Sequence, residues 1–271
     1  MRIRIRTIPF AAVLLLLCAC SKGGDQPGVQ VRLALPGQSA KVALGDEDAG
    51  AFPIVWQAGD VVSLNGTLSN PLSSDLAGES DAAFSFASFS GASPYNLLYP
   101  GSSAGLVTLD GKTLPLYASE TTMEEVFSMH HICCGIRIPL TGDLSVSSFT
   151  LSAPGDEPIA GTFMPSFTSG ALEAVSATAS VTIEYETPVV LSDTPQYFYL
   201  FFAPGTFSEG LKLQANDSSD ISRQWQFATG STLVKGKLYL LPETSFSSRD
   251  WVDGCEVSLE VMTEETISIE I

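Results

Sequence analysis

Histidine is nearly missing from this chain, with two in 271 residues, adjacent at His130 and His131. A metal centre built mainly on imidazoles therefore has too few ligands to draw on. Basic residues are scarce too: 13 Lys and Arg face 30 Asp and Glu, a formal net charge of −17. Such a surface repels phosphate backbones and anionic lipid, which excludes nucleic acid as a partner. Only 16% of residues are charged and 45% are apolar, so bulk disorder is excluded and a large packed core is available. The chain also lacks a long apolar run. The longest, Ile8 to Leu17, is about half of the roughly 20 residues that a membrane-crossing helix needs. Cysteine is sparse and oddly distributed, at Cys18, Cys20, Cys133, Cys134 and Cys255. With the first two assigned below, three remain in the body, and an odd number gives no complete disulfide framework. No internal repeat of fixed period is visible.

What is present begins with a leader. Arg2, Arg4 and Arg6 precede the apolar run, and Leu17-Cys18-Ala19-Cys20 follows it. A basic start, about ten apolar residues and a small residue before the cut describe a secretory signal. The pattern resembles the bacterial lipoprotein signal, in which an aliphatic residue and two mostly small ones precede the cysteine that receives lipid. Cys20 fits, with Ala19 before it and Leu17 three back, whereas Cys18 would put Leu17 at the cleavage position. An ordinary signal peptide cut at Ala19 is the alternative. Loss of the leader removes three of the 13 basic residues and no acids, leaving 10 against 30, a net charge of −20. Two or more acyl chains on Cys20 would hold the body stably at a membrane.

Ser21 to Gly28 is polar, glycine-rich and flexible, a tether. Strand signals then begin and hardly stop. Val29, Val31, Leu33 and Leu35 alternate with Gln30, Arg32 and Ala34, the period-two pattern of a half-buried strand. Further strands are expected at Phe52–Trp56, Val61–Leu64, Ala83–Phe89, Tyr95–Tyr99, Leu106–Leu109 and Thr113–Tyr117. A second series runs through Ile132–Leu140, Val146–Ser152, Gly161–Phe167, Val181–Tyr185, Tyr197–Phe202, Leu211–Ala215, Arg223–Phe227 and Lys237–Leu241. Cys255–Val261 and Ile267–Ile271 close the chain. Asn65-Gly66 and Asp110-Gly111 are expected to turn hairpins, the second joining Leu106–Leu109 to Thr113–Leu116. Ser169–Ser180 reads as a long loop or a weak edge strand, and only Glu120–Met129 has room for a helical turn or two. Many short strands with frequent turn signals mean an all-β sandwich or barrel. The weakest join is polar and acidic, at Ser119–Glu125. The organisation expected is therefore a leader at 1–19, a tether at 20–28 and two domains at 29–124 and 125–271.

Several segments, in order, resemble the fimbrillin family of Bacteroidales, the lipoproteins that build or decorate type V pili. Val55-Trp56-Gln57-Ala58-Gly59-Asp60-Val61-Val62-Ser63-Leu64 is similar to the family's Trp-x-x-Gly-Asp segment. Tyr95-Asn96-Leu97-Leu98-Tyr99-Pro100 is similar to its Tyr-x-x-x-Tyr-Pro strand. His130, Gly135-Ile136-Arg137-Ile138, Val146-Ser147-Ser148-Phe149-Thr150-Leu151 and Ile159-Ala160-Gly161 resemble the start of its second domain. Phe202-Ala203-Pro204-Gly205-Thr206-Phe207, Gly210-Leu211 and Val234-Lys235-Gly236-Lys237-Leu238-Tyr239 resemble the rest. The resemblance implies two transthyretin-like β-sandwiches in tandem, export as a lipoprotein to the outer membrane or cell surface, and polymerisation with other fimbrillin subunits by strand exchange. It also implies an arginine-specific protease that removes the first strand. Arg32 is then the processing site and Leu33 the new N-terminus, the alternative being that Arg32 is a solvated strand residue.

Burying Val29, Val31, Leu33 and Leu35 contributes roughly 6–12 kcal/mol, against the roughly 5–15 kcal/mol of a whole domain. A sandwich without this strand must recruit another. A donor is present: Val257, Leu259 and Val261, with Cys255, alternate with Glu256, Ser258 and Glu260, and Ile267, Ile269 and Ile271 alternate with Ser268 and Glu270. The same residues equally suit a terminal hairpin within the chain's own sheet.

Enzymatic patterns do not assemble. Gly101-Ser102-Ser103-Ala104-Gly105 spells a hydrolase motif, but that chemistry needs a strand, a sharp turn and a helix, and here a strand is expected to follow. In a strand, His130 and Cys134 share one face while His131 and Cys133 share the other, so no more than two donors converge. Asp46-Glu47-Asp48 lacks the spacing of a calcium loop. No catalytic residue, metal ligand or cofactor is assigned. Trp56, Trp225, Trp251, Tyr95, Tyr99, Tyr197 and Tyr199 are core packing or, as a second function, the platform of a surface lipoprotein that captures glycans. The receptor, host or glycan, is not specified by the sequence.

Overall fold

The computed structural model describes residues 29–35, 43–44, 54–124, 126–219 and 221–247. Cys20, Trp251, Cys255, the Asp46-Glu47-Asp48 run and the donor-strand residues Val257 to Ile271 lie outside the described residues. Within them the chain is all β, with no helix. The apolar alternation has nowhere to go but into sheets, since Gly, Pro, Ser and Asn interrupt it before any helical period builds up.

In chain order, β1 (Val29–Ala34), β2 (Ala43–Leu44), β3 (Ile54–Val55), β4 (Ser63–Leu64) and β5 (Thr67–Leu68) precede β6 (Asp81–Phe86), β7 (Tyr95–Tyr99) and β8 (Val107–Leu109). β9 (Leu116–Glu120), β10 (Val126–Ser128) and β11 (His130–His131) lead to the longer β12 (Cys134–Thr141), β13 (Ser145–Ser152), β14 (Ala160–Pro165), β15 (Leu172–Thr178), β16 (Ser180–Val190) and β17 (Gln196–Phe202). β18 (Gly205–Phe207), β19 (Lys212–Asn216), β20 (Ser222–Gln226), β21 (Ser231–Leu233), β22 (Leu238–Leu240) and β23 (Thr244–Ser245) follow.

Two large hydrophobic clusters organise these strands. The first gathers Val31, Leu33, Trp56, Leu64, Phe84, Phe86, Leu97, Tyr99, Leu116 and, late in sequence, Phe127 and Met129. It lies against the sheet β10-β1-β6 and the sheet β11-β9-β7-β4-β5. The second gathers Ile136, Ile138, Phe149, Leu151, Ile183, Leu200, Phe202, Leu213 and Trp225. It lies against the sheet β17-β12-β22 and the sheet β16-β13-β19-β20. A third cluster, with Val107, Leu109, Cys133, Phe163 and Phe201, sits where β8 joins β14 and β15. Alternation explains this: strands such as β1 and β13 hand one face to a core and the other to solvent, while β7, β12 and β17 bury parts of both faces, each against a different cluster.

Two local expectations are corrected. Asn65 (φ 46) and Gly66 (φ 79) do close a two-residue hairpin between β4 and β5. Asp110-Gly111 does not. β8 pairs with β14, whose residues are about 50 positions later, and β9 pairs with β7 and β11. The Asp110 carboxylate accepts from Lys112 N and Thr113 N at 2.9 and 2.7 Å, turning the chain from one sheet into another. Only Gly111 of the pair has positive φ, and a tight hairpin needs both. Glu120–Met129 forms no helical turn among its described residues, because Phe127 and Met129 are buried and Val126–Ser128 pairs with β1. Residues 172–178, by contrast, are the edge strand that the loop-or-edge reading allowed, exposed along most of their length.

Where the last described strand leaves the body, the chain is tightly held. Phe246 is buried, its N–H donates to Thr141 O at 2.7 Å, and its carbonyl accepts from Leu144 N. Gly142, at φ +137, lies beneath it, and an added Cβ there would come within 2.2 Å of Phe246 O. At Gly59, φ +88, the surrounding space is open. Gly59→Ala is therefore expected to cost about 1 kcal/mol of backbone strain, and Gly142→Ala at least about 2, because the backbone carbonyl must also shift. Urea unfolding of the two variants checks the order, and equal losses would contradict it.

Candidate functional site

The leading strand, on which the strand-exchange expectation rests, is the middle strand of its sheet. β1 runs antiparallel to β6 over its whole length, Val29 opposite Phe86 and Ala34 opposite Asp81. On its other side it runs parallel to β10, but only from Arg32 (opposite Val126) to Ala34 (opposite Ser128). Leu35 N donates to Ser80 O, and Met129 N donates to Ala34 O, each at 2.9 Å. Among the described residues, the strand's upstream half is thus held on one side and its downstream half on both. Val31, Leu33 and Leu35 are buried, Leu33 completely, as the alternation required.

Trp56 is the floor beneath this strand. Its indole N–H donates to the Leu33 carbonyl at 3.3 Å, and its ring meets Phe84 and Tyr99 edge-on at 4.8 and 5.4 Å. The residues after it fix its place. Gly59 turns the chain with positive φ, and Asp60 then accepts from Gln57 N at 2.7 Å and from the Tyr99 hydroxyl at 3.0 Å. The Trp-x-x-Gly-Asp and Tyr-x-x-x-Tyr-Pro segments are therefore one device: the second strand's tyrosine clamps the turn that positions the tryptophan. Burial raises the Asp60 carboxyl, opposed by the bonds from Gln57 and Tyr99. Burial and the neighbouring Asp60 raise the Tyr99 phenol well above its usual range.

Arg32 projects from the polar side of β1, with 56% of its side chain exposed, and pairs with Asp81 at 2.8 Å. Its backbone, however, lies inside the sheet. A protease binds its substrate as a free extended segment, so the bond between Arg32 and Leu33 becomes available only after this part of β1 has lifted. The position of Arg32 also divides the strand unevenly: Val29 to Val31 lie upstream, paired among the described residues with β6 alone, while Leu33 and Leu35 stay with the body. The sequence estimate counted all four apolar residues. A cut here releases only Val29, half-buried, and Val31, about 2–5 kcal/mol of burial.

The remaining sequence candidates fall elsewhere. Ser102 lies in a loop, its hydroxyl accepting from Leu106 N at 3.2 Å, and the strand β8 follows where a hydrolase would need a helix. His130 packs against the Tyr117 ring, while Cys133 joins the third cluster and Cys134 the second. Both thiols are free, fully buried and raised by that burial, Cys134 also by its neighbour. No group of three His, Cys, Asp or Glu is placed to hold a metal ion among the described residues. Trp56, Trp225 and Tyr99 are core residues, which removes them from a glycan platform, whereas Tyr197 is half exposed beneath the Arg137 guanidinium at 4.0 Å.

Sequence reasoning missed one feature altogether. A cleft of about 400 Å³ opens between β16 and β17, lined by Lys112, Ile183, Tyr185, Val189, Tyr197 and Phe198 among others. Burial raises the Tyr185 phenol to about 12. No local pattern announces such a gap, since it arises where two sheets part.

No protein-family model matches the chain, and no curated protein does. Solved structures overlap it partially. One, from Bacteroides uniformis, carries a provisional cell-adhesion name and is 15% identical with a TM-score of 0.44, over 81% of this chain and 95% of that one. A Bacteroides ovatus structure with the same kind of name is 13% identical with a TM-score of 0.47, over 81% and 93%. The tip fimbrial protein Mfa3 of Porphyromonas gingivalis, truncated at its C-terminus, is 8% identical with a TM-score of 0.36, over 78% and 94%. At these scores and identities no residue role or partner passes from them to this chain.

The site yields two predictions. Leu33→Ala is expected to cost about 2–5 kcal/mol, and Arg32→Gln no more than about 1, its ion pair being exposed; chemical denaturation of both decides. A carboxyl raised on folding contributes stability that is complete below its unfolded pKa and lost as pH rises through its folded one. Asp60→Asn abolishes that loss. The variant's stability relative to the native chain should therefore climb between about pH 3 and pH 7, and a difference that stays flat with pH would contradict the assignment.

Proposed function

We propose that this protein is a structural, adhesive subunit of a type V pilus: a fimbrillin-like lipoprotein acylated on Cys20, carried to the outer membrane, and joined to other subunits by strand exchange. In this reading its two large clusters are the cores of two tandem sandwich domains. The observation that carries the proposal is the seating of β1: a central strand whose segment upstream of Arg32 is held, among the described residues, by β6 alone. Once the upstream piece is gone, Phe84 and Phe86 lose the partners that covered them. An alternating apolar strand from another subunit, such as Val257, Leu259 and Val261 or Ile267, Ile269 and Ile271, restores both the hydrogen bonds and the burial. The ordered resemblance of the Trp56-to-Asp60 and Tyr95-to-Pro100 segments to fimbrillins supports the same reading. The mechanism is pairing and packing, with no chemical step after the cut.

An arginine-specific protease added to the mature chain should generate an N-terminus at Leu33 and multimers that survive detergent without heating. Arg32→Gln should give neither. A native chain that stays uncut and monomeric, yet is retarded by polysaccharide in an affinity gel, would overturn the proposal in favour of glycan capture.

A further inference from the structure

The cleft between β16 and β17 has the form of a missing strand. β17 ends its sheet, paired with β12 on one side, and β16 ends the facing sheet, paired with β13 on one side. Among the described residues the outer edge of β17 meets only Gly111, through a single bridge at Phe201, and β16 pairs with no strand but β13, the Lys112 ammonium donating to its Glu184 carbonyl at 2.9 Å. Between them the floor is apolar and aromatic: Ile183, Tyr185 and Val189 from β16 face Phe198 from β17. Unpaired edges flanking an apolar gap are what an added strand completes, with main-chain bonds along the edge and alternate side chains in the gap.

The chain leaves its described body beside the mouth of this cleft. Phe246 bonds to Thr141 and Leu144, Gly142 N donates to Ser192 O, and Leu191 N donates to Leu144 O. Ser192 belongs to the short link between Val190, the last residue of β16, and Gln196, the first of β17. Residues 248–254, seven in number, reach about 23–25 Å when extended. That exceeds the spacing of about 10 Å across the two strand intervals from β23 to β17. Residues 255–261 then match the seven of β17 in length, and a segment entering at the Val190 end runs antiparallel to β16. Its Cys255, Val257, Leu259 and Val261 share one face and Glu256, Ser258 and Glu260 the other.

We propose that residues 255–261 seat in this cleft in their own subunit, as a strand along the edge of β16 not paired with β13, with the apolar face inward and the Lys112 ammonium moved off Glu184 O. The segment then has two destinations, its own cleft before assembly and a neighbour's groove after it, and the first holds the donor in reserve. This builds on the strand-exchange reading but stands on separate geometry.

Cys255 supplies a native probe, because Cys133 and Cys134 are buried. The uncut full chain is treated with N-ethylmaleimide and labelling at Cys255 is followed by peptide mapping. The seated segment should label at least about tenfold more slowly than the same chain carrying Leu259→Asp, independently of protein concentration, and Tyr185→Asp in the cleft should release it as well. Leu259→Asp leaves the described body untouched, so the comparison holds even if Tyr185→Asp does not fold. Equal labelling in native and Leu259→Asp chains overturns the proposal. Protection that appears only as concentration rises overturns it too, placing the segment in another copy. Multimers formed after cleavage at Arg32 report the exchange reading separately: exchange with an open Cys255 refutes the cleft alone, and a protected Cys255 without multimers refutes exchange alone.

Discussion

The rest of the molecule depends on how one strand is held. β1 sits between β6 and β10 above Trp56, and the indole N–H reaches the carbonyl of Leu33, the most deeply buried residue of that strand. This bond couples the strand to a floor built from other parts of the chain. Trp56 is aligned by the turn at Gly59 and Asp60, and Asp60 by the hydroxyl of Tyr99 on β7. The strand's seat is thus pre-formed by residues that do not belong to it. A seat that persists when its occupant leaves is what strand exchange requires, because an incoming segment then pairs without rebuilding the core.

The holding is also graded along the strand. Downstream of Arg32, parallel bonds to β10 add to the antiparallel ladder with β6; upstream, that ladder stands alone among the described residues. The exposed pairing of Arg32 with Asp81 contributes little, since solvent screens it. Leu33 and Leu35 bind the remainder to the body. If the chain is cut at Arg32, as proposed, the cut detaches the half that is held least among the described residues, and Val29 and Val31 with their backbone bonds, rather than the whole strand, set the energetic scale of the proposed exchange. At the far end of the described residues the opposite holds: Phe246 is buried and pinned over Gly142, so the residues that follow start from a fixed point near the cleft between β16 and β17.

Much of the fold was legible because a half-buried sheet imposes a period of two. Val29 to Leu35 and, past one irregular step, Val146 to Ser152 announce their buried faces this way, and Asn65-Gly66 announces its turn; Tyr95 to Tyr99 and Tyr197 to Phe202, each ending in three consecutive buried residues, are legible as apolar runs instead. The adjacent cysteines follow from the same rule, pointing into different clusters. What could not be read was pairing between distant segments. Asp110-Gly111 looks like a hairpin because its flanks alternate, yet β14 competes for β8 and the Asp110 carboxylate bends the chain away. Val126–Ser128 is too short to show a period, and its burial comes from β1, almost a hundred residues earlier. The aromatic residues were ambiguous for the same reason: Trp56 and Trp225 are core and Tyr197 is surface, and only the layering of sheets separates them. The cleft beside Tyr185 is a property of two sheets together and has no signature in either strand.

Native-state hydrogen exchange at the backbone amides of β1 tests the central claim most directly. If the strand is a separable part, its upstream amides exchange through a local opening, well below the free energy of global unfolding, while β7 and β9 exchange only when the whole first core unfolds. Exchange of all three strands at one common, global free energy would show that β1 is an integral member of its sheet, and the account would fail.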